Sequence, residues 1–408
     1  MRAERDATAR GGAETAPVTG EALLPAGARP LERRSGRQTI LILGGAARSL
    51  VNFRGPLIER LVTSGHRVLA CAPGRDPVVE SRLRALGAEY QAVSIHRAGL
   101  RPDQDLRTMR ELVRLFRRES PDILVAYTMK PVIWGGFAAA RAGVPSRFAI
   151  ITGLGYAFGA GSLKVRLVGR VVQQLYRRSL ATADKVFFQN PDDLALFERL
   201  GLVPAGRSIL VNGSGVDLRR FTPAPFPKTP TFLLIARFLV EKGVRDFVEA
   251  ARIVRARYPD VRFVLVGRLD QVNPSSIGRA ELQSWLDEGI IKMPGWLDDV
   301  RPAIAESSVY VLPSYYREGT PRSILEALAT GRPIVTTDVP GCRETVRPGI
   351  NGWLVPPRDP QALASALETF LEDPALVSRM GAASLQLARQ KYDVDKVNAV
   401  MLEAMDLA

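Results

Sequence analysis

The chain holds little of what metal, disulfide or redox chemistry uses. Among 408 residues there are two cysteines, Cys71 and Cys342, and two histidines, His66 and His96. Cysteines so far apart lack ligand spacing, which excludes a disulfide scaffold and a cysteine-rich zinc site and fits a reducing compartment. No run of about 18 apolar residues occurs, so no transmembrane helix is expected. The amino terminus lacks the apolar core of a secretory leader. Acidic residues are outnumbered, 42 against 56 basic, for a formal net charge of +14. Residues 38–222 carry +13 of it and residues 223–408 carry −1. So basic a half is expected to face an anionic surface, a membrane leaflet or a nucleic acid.

What is present is an ordinary globular composition, 46% hydrophobic and 24% charged, in a chain long enough for two cores. Residues 1–37 show no apolar period and read as a disordered basic extension. From Thr39 onward, short apolar runs alternate with stretches of helical period, the pattern of parallel α/β units. Strands are expected at 39–43, 67–70, 90–93, 123–126, 148–151, 186–189 and 209–211. Helices are expected over about 53–64, 77–86, 105–118 and 164–180, and from about 191. The third of these carries Leu106, Met109, Leu112, Val113 and Phe116 at core spacing. Thr222 to Pro230 holds four prolines and reads as an interdomain linker about which two domains close. A second series of strands and helices fills 231–390, and a last helix occupies 391–408. The expected architecture is two Rossmann-like domains, 38–222 and 231–390, joined by a linker at 223–230. Gly44-Gly45 lacks the G-x-G-x-x-G spacing of a dinucleotide site.

The densest chemistry lies between Pro313 and Thr345. The strand run 309–312 feeds a turn with Glu318, Gly319, Thr320 and Pro321, and a helix follows over 322–329. Thr320 suits the N-cap and Pro321 the first helical position. The amides of residues 319–322 are therefore expected to face an anion at the carboxyl end of a parallel sheet. Glu326 lies about six residues into the helix, roughly 9 Å along its axis. One carboxylate can thus meet each end of an extended ligand, with phosphate-seeking amides between them. A sugar nucleotide has that layout. Arg237 and Lys242, flanking the loop after the strand at 231–235, add a candidate diphosphate clamp. Asp298-Asp299 reads as a helix N-cap pair rather than a metal site.

These residues resemble the retaining family 4 glycosyltransferases. Glu318 and Glu326 match the E-x7-E pattern within EGTPRSILEALATGRPIV, and DVPGCRE follows. A narrower likeness, over about 38–400, is to bacterial undecaprenyl-diphosphate-linked oligosaccharide N-acetylgalactosaminyltransferases and capsule or exopolysaccharide glycosyltransferases. It rests on VNFRGPLI (51–58), RAGLRPDQDL (97–106), TMKP (128–131), ITGLGYAF (151–158), ADKVFFQNPDDLALF (183–197) and GSGVDLRRF (213–221). The resemblance implies a GT-B fold, with the last helix near the domain junction. It implies Glu318 at the donor sugar, Glu326 on the ribose, Arg237 and Lys242 on the diphosphate, and the backbone around Gly295 against the nucleobase. Gly319, Thr320, Pro321 and Arg322 complete the donor set. Asn52, Arg54, Thr128, Lys130, Gly153 and Tyr156 are the acceptor candidates. Many relatives carry a cleft histidine two residues before the threonine of TMKP, where this chain has Ala126.

The function so implied is retaining, metal-independent transfer of a hexose or N-acetylhexosamine from a UDP-sugar to a polyprenyl-diphosphate-linked saccharide. Glu318, Arg237 and Lys242 would be catalytic. No cofactor, metal or nucleic acid is expected, and the basic half would rest on the inner face of the cell membrane. A GT-B epimerase or phosphorylase, and a non-enzymatic membrane or nucleic-acid binder, remain as alternatives.

Overall fold

The computed structural model describes residues 36–96, 101–154, 158, 163–270, 273 and 275–408. Tyr156, and all but the last two residues of the 1–37 extension, lie outside the described residues.

Seven parallel strands form the first sheet: β1 (Thr39–Leu43), β2 (Arg67–Pro73), β3 (Glu89–Val93), β4 (Ile123–Tyr127), β5 (Ser146–Ile151), β6 (Lys185–Phe188) and β7 (Ser208–Leu210). Their order is β3-β2-β1-β4-β5-β6-β7. The second sheet holds β8 (Thr231–Arg237), β9 (Arg262–Arg268), β10 (Lys292–Gly295), β11 (Val309–Leu312), β12 (Ile334–Thr337) and β13 (Gly352–Val355), in the order β10-β9-β8-β11-β12-β13. Each order reverses direction once, between β1 and β4 and between β8 and β11. Ligands bind such sheets in the crevice beyond the strands' carboxyl ends at that point.

Covering helices explain why the strands read as unbroken apolar runs. The first sheet carries α1 (Ala47–Thr63), α2 (Pro77–Ala85), α3 (Pro102–Glu119), α4 (Gly136–Ala142), α5 (Leu163–Leu180) and α6 (Pro191–Arg199). The second carries α7 (Val244–Arg257), α8 (Arg279–Asp287), α9 (Arg301–Ala305), α10 (Arg322–Ala329), α11 (Pro360–Glu372) and α12 (Ala375–Leu387). The final α13 (Val394–Ala404) returns to the first unit, where Val397, Met401 and Leu402 join Leu57 and Leu61 in one core.

Two helices depart from the sequence expectation. α1 starts six residues earlier than Phe53 and runs through Pro56. Pro56 thus lies inside the helix, beyond its first turn. In α3 the buried face includes Asp105 and Thr108, while Leu106 is 40% exposed. An ion pair described below draws Asp105 inward.

The larger departure concerns the hinge. Val211 belongs to the core of the first unit, and Val216 already belongs to that of the second. The chain therefore crosses at 212–215, and it crosses back between Tyr392 and Val397. The two crossings are hydrogen-bonded side by side: Val216 N donates to Tyr392 O at 2.7 Å and Val394 N to Val216 O at 3.1 Å. Gly215 has φ +68°, and a Cβ there would lie 2.5 Å from Val394 Cα, so glycine is required at this contact. The proline-rich stretch is instead fastened to the second unit. Arg332, fully buried, donates to Pro225 O at 3.0 Å, to Ala305 O at 2.9 Å and to Ile304 O at 3.1 Å, and stacks on Phe226. The chain thus passes between the units at 212–216 and 392–397 rather than within 222–230.

Candidate functional site

The loop from β11 into α10 rests on the turn that follows β8. Tyr315 N and Tyr316 N donate to Glu241 O at 2.9 and 3.1 Å. Gly243, at φ +71°, lets that turn approach closely, since a Cβ would lie 2.0 Å from Pro313 O. This packing brings Lys242 to Glu318. The Lys242 Nζ is 2.6 Å from Glu318 Oε2, with the two side chains 12% and 14% exposed. Ser314 Oγ donates to Glu318 Oε1 at 2.8 Å, so both carboxylate oxygens have partners. Arg237, at the end of β8, pairs with Asp270 at 2.8 Å. On α10, Arg322 Nε donates to Glu326 Oε1 at 2.8 Å. Gly295 ends β10 at φ +84° with open space where a Cβ would stand. Beside it, Trp296 lies between Arg268 and Arg48, 4.6 and 5.9 Å from its ring centre.

The amides that lead into α10 are arranged differently from expectation. The N-cap position is Pro321, and Thr320 does not cap. Thr320 Oγ1 instead donates across the cleft to Gln189 O at 2.8 Å, and Thr320 N lies 3.4 Å from Gln189 Oε1. Gly319 N donates to Thr152 O at 3.2 Å. Two of the amides read as anion ligands are therefore bonded to the first unit, and Pro321 has no N–H. The amides of Arg322 and Ser323 have no hydrogen-bond acceptor among the described residues, so these two are free for a ligand. Asp298-Asp299 also divides its work. Asp299 accepts from Arg301 N at 3.1 Å, whereas Asp298 pairs with Arg48 of the first unit at 3.0 Å.

On the opposing wall, Arg54 is 2% exposed, with its guanidinium 5.1 Å from the Tyr127 ring centre. Its Nε has no hydrogen-bond partner, and no carboxylate pairs with it among the described residues. Burial, with Arg322 nearby, pushes its pKa down to about 10. A buried cation without a counter-charge is costly, and an anionic ligand would relieve it. Thr128, just after β4, holds the uncommon φ of +68° for a β-branched residue. Asn52 is exposed on α1.

Two acceptor candidates are placed otherwise than the sequence suggested. Lys130 is 5% exposed and bonded at 2.8 Å to Asp105, itself 3% exposed. Its ammonium is thus committed to holding α3 against the β4 loop. Gly153, at φ +107°, bridges Glu318, and a Cβ would come 2.6 Å from Gly319 N. It serves the contact between the two units. Sequence reasoning missed Gln189, Asn190 and Arg48, whose partners in the second unit lie 128 or more residues away along the chain and leave no local signal. Among the described residues no group of three or more His, Cys, Asp or Glu is placed to hold a metal ion.

Comparison with known proteins agrees with this geometry. Residues 52–213 match the family described as Glycosyl transferase 4-like domain, and residues 229–373 match Glycosyl transferases group 1. The break between the two matches, 214–228, overlaps the crossing at 212–216. The chain is 30% identical over 378 residues to the N,N'-diacetylbacillosaminyl-diphospho-undecaprenol alpha-1,3-N-acetylgalactosaminyltransferase of Campylobacter jejuni, covering 89% of this chain and 97% of that protein. It is 28% identical over 288 residues to the UDP-Gal:alpha-D-GlcNAc-diphosphoundecaprenol alpha-1,3-galactosyltransferase of Escherichia coli, covering 67% and 72%. In structure it resembles Anabaena HepE in complex with UDP, with a TM-score of 0.71 at 20% identity over 91% of this chain and all of that one. Sucrose-phosphate synthase from Thermosynechococcus elongatus gives a TM-score of 0.73 at 20% identity, covering 90% and 98%. Two parallel-sheet units facing across a cleft, both family matches and a full-length relative together show that this chain is a GT-B glycosyltransferase of the family 4 type.

Proposed function

We propose that the protein moves a hexose or N-acetylhexosamine, with retention of anomeric configuration, from a UDP-sugar to a polyprenyl-diphosphate-linked saccharide. The observation that carries this is the Lys242–Glu318 pair at the reversal point of the second sheet, together with buried Arg54 of the first unit, which lies near Arg322 at the start of α10 and has no carboxylate partner among the described residues. The names of the Campylobacter and Escherichia relatives, both acting on diphospho-undecaprenol-linked sugars, support the substrate class.

In this reading the donor diphosphate lies between Arg237, Lys242 and the free amides of Arg322 and Ser323. These fixed charges and dipoles stabilise the negative charge that grows as the anomeric C–O bond breaks. No metal is required for that role. The acceptor hydroxyl enters on the face that the diphosphate leaves; its oxygen bonds the anomeric carbon and its proton passes to a phosphate oxygen. Glu318 orients the sugar and offsets the positive charge at the anomeric carbon. Glu326 binds the ribose, and Gly295 backs the base. Arg54, with Thr128 and Asn52 nearby on the same unit, receives the acceptor diphosphate. Ala126, 2% exposed, stands where relatives have a cleft histidine, so no histidine step is invoked.

Peripheral association with the cytoplasmic membrane face belongs to the same proposal. No helix among the described residues is long and apolar enough to cross a membrane. On α5, Leu167 and Val171 are 64% and 43% exposed, one turn apart and beside exposed Arg166 and Arg170. Apolar groups among arginines suit an anionic interface.

The test is a donor screen against membrane extract containing polyprenyl-diphosphate sugars, with and without EDTA. Transfer from a UDP-sugar that persists in EDTA is expected. Loss in EDTA would remove the metal-free mechanism, and UDP release independent of any acceptor would favour an epimerase.

A further inference from the structure

We infer that Asn190 is a positioning residue for Glu318, and that it makes the reactive carboxylate dependent on contact between the two units. The inference rests on the reading of Glu318 as the group at the donor sugar.

Asn190 follows β6 and is fully buried. Its Oδ1 accepts from Asp193 N at 2.8 Å, which caps α6. That bond settles which way the amide points, because a donor must meet the carbonyl oxygen. The Nδ2 group then faces three acceptors: Asp193 Oδ2 at 3.0 Å, Glu318 O at 3.2 Å and Gly319 O at 3.2 Å. One N–H serves the carboxylate, and the other is shared between two consecutive carbonyls of the catalytic loop. A flipped amide would place oxygen against oxygen at both carbonyls.

The opposite side of the same loop is held as well. Gly319 N donates to Thr152 O, and Leu154 N donates to Arg317 O at 3.1 Å. A Cβ on Gly341 would lie 1.7 Å from Gly319 O, so the Gly341 backbone packs directly against that carbonyl. The Glu318 backbone is thus seated by the first unit, while its carboxylate is held by Lys242 and Ser314 of the second. Asn190 lies before the crossing at 212–215, and the loop it grips lies after it. Parting the two units breaks its bonds to both carbonyls and releases the peptide that sets the carboxylate. A donor bound to the second unit alone would then meet an unaligned Glu318, which protects it from transfer to water.

Asn190→Ser separates the two duties of this side chain. Serine caps a helix well but is too short to reach residues 318 and 319. The variant should fold with its melting temperature close to wild type. Its kcat should fall roughly 10- to 100-fold, the scale of a misplacement of about 1 Å, with donor KM nearly unchanged. A wild-type kcat in Asn190→Ser would overturn the inference. The decisive comparison places Asn190→Ser in a Glu318→Gln background, using residual turnover. If Asn190 acts through Glu318, the second change adds little there. Full additivity would mean that Asn190 acts elsewhere, and the inference would fall. Separately, a Glu318→Gln enzyme with undiminished turnover would remove the underlying reading of Glu318 itself. If Asn190→Ser proves unfolded, the Gly153→Ala enzyme, which crowds the same loop from the other side, is read instead. The same loss of kcat at unchanged donor KM is expected, and a wild-type kcat again overturns the inference.

Discussion

Lys242 and Glu318, 76 residues apart in sequence, meet at 2.6 Å as a largely buried ion pair at the carboxyl edge of the second sheet. Lys242 reaches there because Gly243 permits a close turn against Pro313. In the proposed reaction the pair sets a cation at the donor diphosphate and an anion at the sugar.

Replacing Lys242 by Met should lower kcat/KM for the donor by about 100-fold or more, the usual scale for losing a fixed transition-state donor. It should also cost about 2 kcal/mol of stability by leaving Glu318 poorly solvated without its partner. Adding Glu318→Gln should restore most of that stability but none of the activity. Urea denaturation and initial rates on the three enzymes check this.

Glu326→Ala should raise donor KM roughly 10-fold, about 1.4 kcal/mol of binding, with little change in kcat. Its partner Arg322 keeps a contact with Phe53 across the cleft, at 5.6 Å to the ring centre. A donor KM equal to wild type would contradict the ribose role.

Arg54→Met should separate function from stability. The guanidinium is buried with an unpartnered Nε, so an apolar side chain of similar length should leave the protein equally stable or about 1 kcal/mol more stable. Acceptor KM should rise at least roughly 10-fold while donor KM holds, as expected for loss of a charge-assisted contact. The check is a melting curve beside kinetics with each substrate varied in turn.

Lys130→Met should do the reverse. Removing one partner of the buried pair with Asp105 should cost about 3 kcal/mol. Asp105→Asn in the same chain should recover much of it. Acceptor KM measured below the melting temperature should stay near wild type, because the buried ammonium is already bonded to Asp105.

The pH dependence of stability should carry a mark of Asp193. Burial, as the largest cause, raises its pKa from 3.8 to about 6 despite the hydrogen bond from Asn190. For an acid whose folded value exceeds its unfolded one, the folded state binds more protons between the two values. Its contribution is therefore fully favourable below about pH 4 and is lost as pH rises to about 6. The Asp193→Asn protein should gain on wild type across that window, by up to ~3 kcal/mol, and stay parallel above it. Denaturation midpoints at pH 4, 5, 6 and 7 measure the difference.

Much of this molecule was legible in its order of residues, and the reason is physical. Buried parallel strands and the helices over them announce themselves through local period and capping, as at β8, α7, β11 and α10. The E-x7-E spacing and the nearby Arg237 and Lys242 are likewise local, so these residues could be singled out directly. Only the folded arrangement decided what depends on contacts across the cleft or on burial. It turned Thr320 from a helix cap into a tie to Gln189, occupied the amide of Gly319, and paired Lys130 with Asp105. It also placed the passage between the units at 212–216 rather than at the prolines, because Arg332 fastens Pro225 to the second unit. A chain can encode its own helix starts within a few residues. Which unpaired donor finds which distant carbonyl is settled only when two cores have formed and closed on each other.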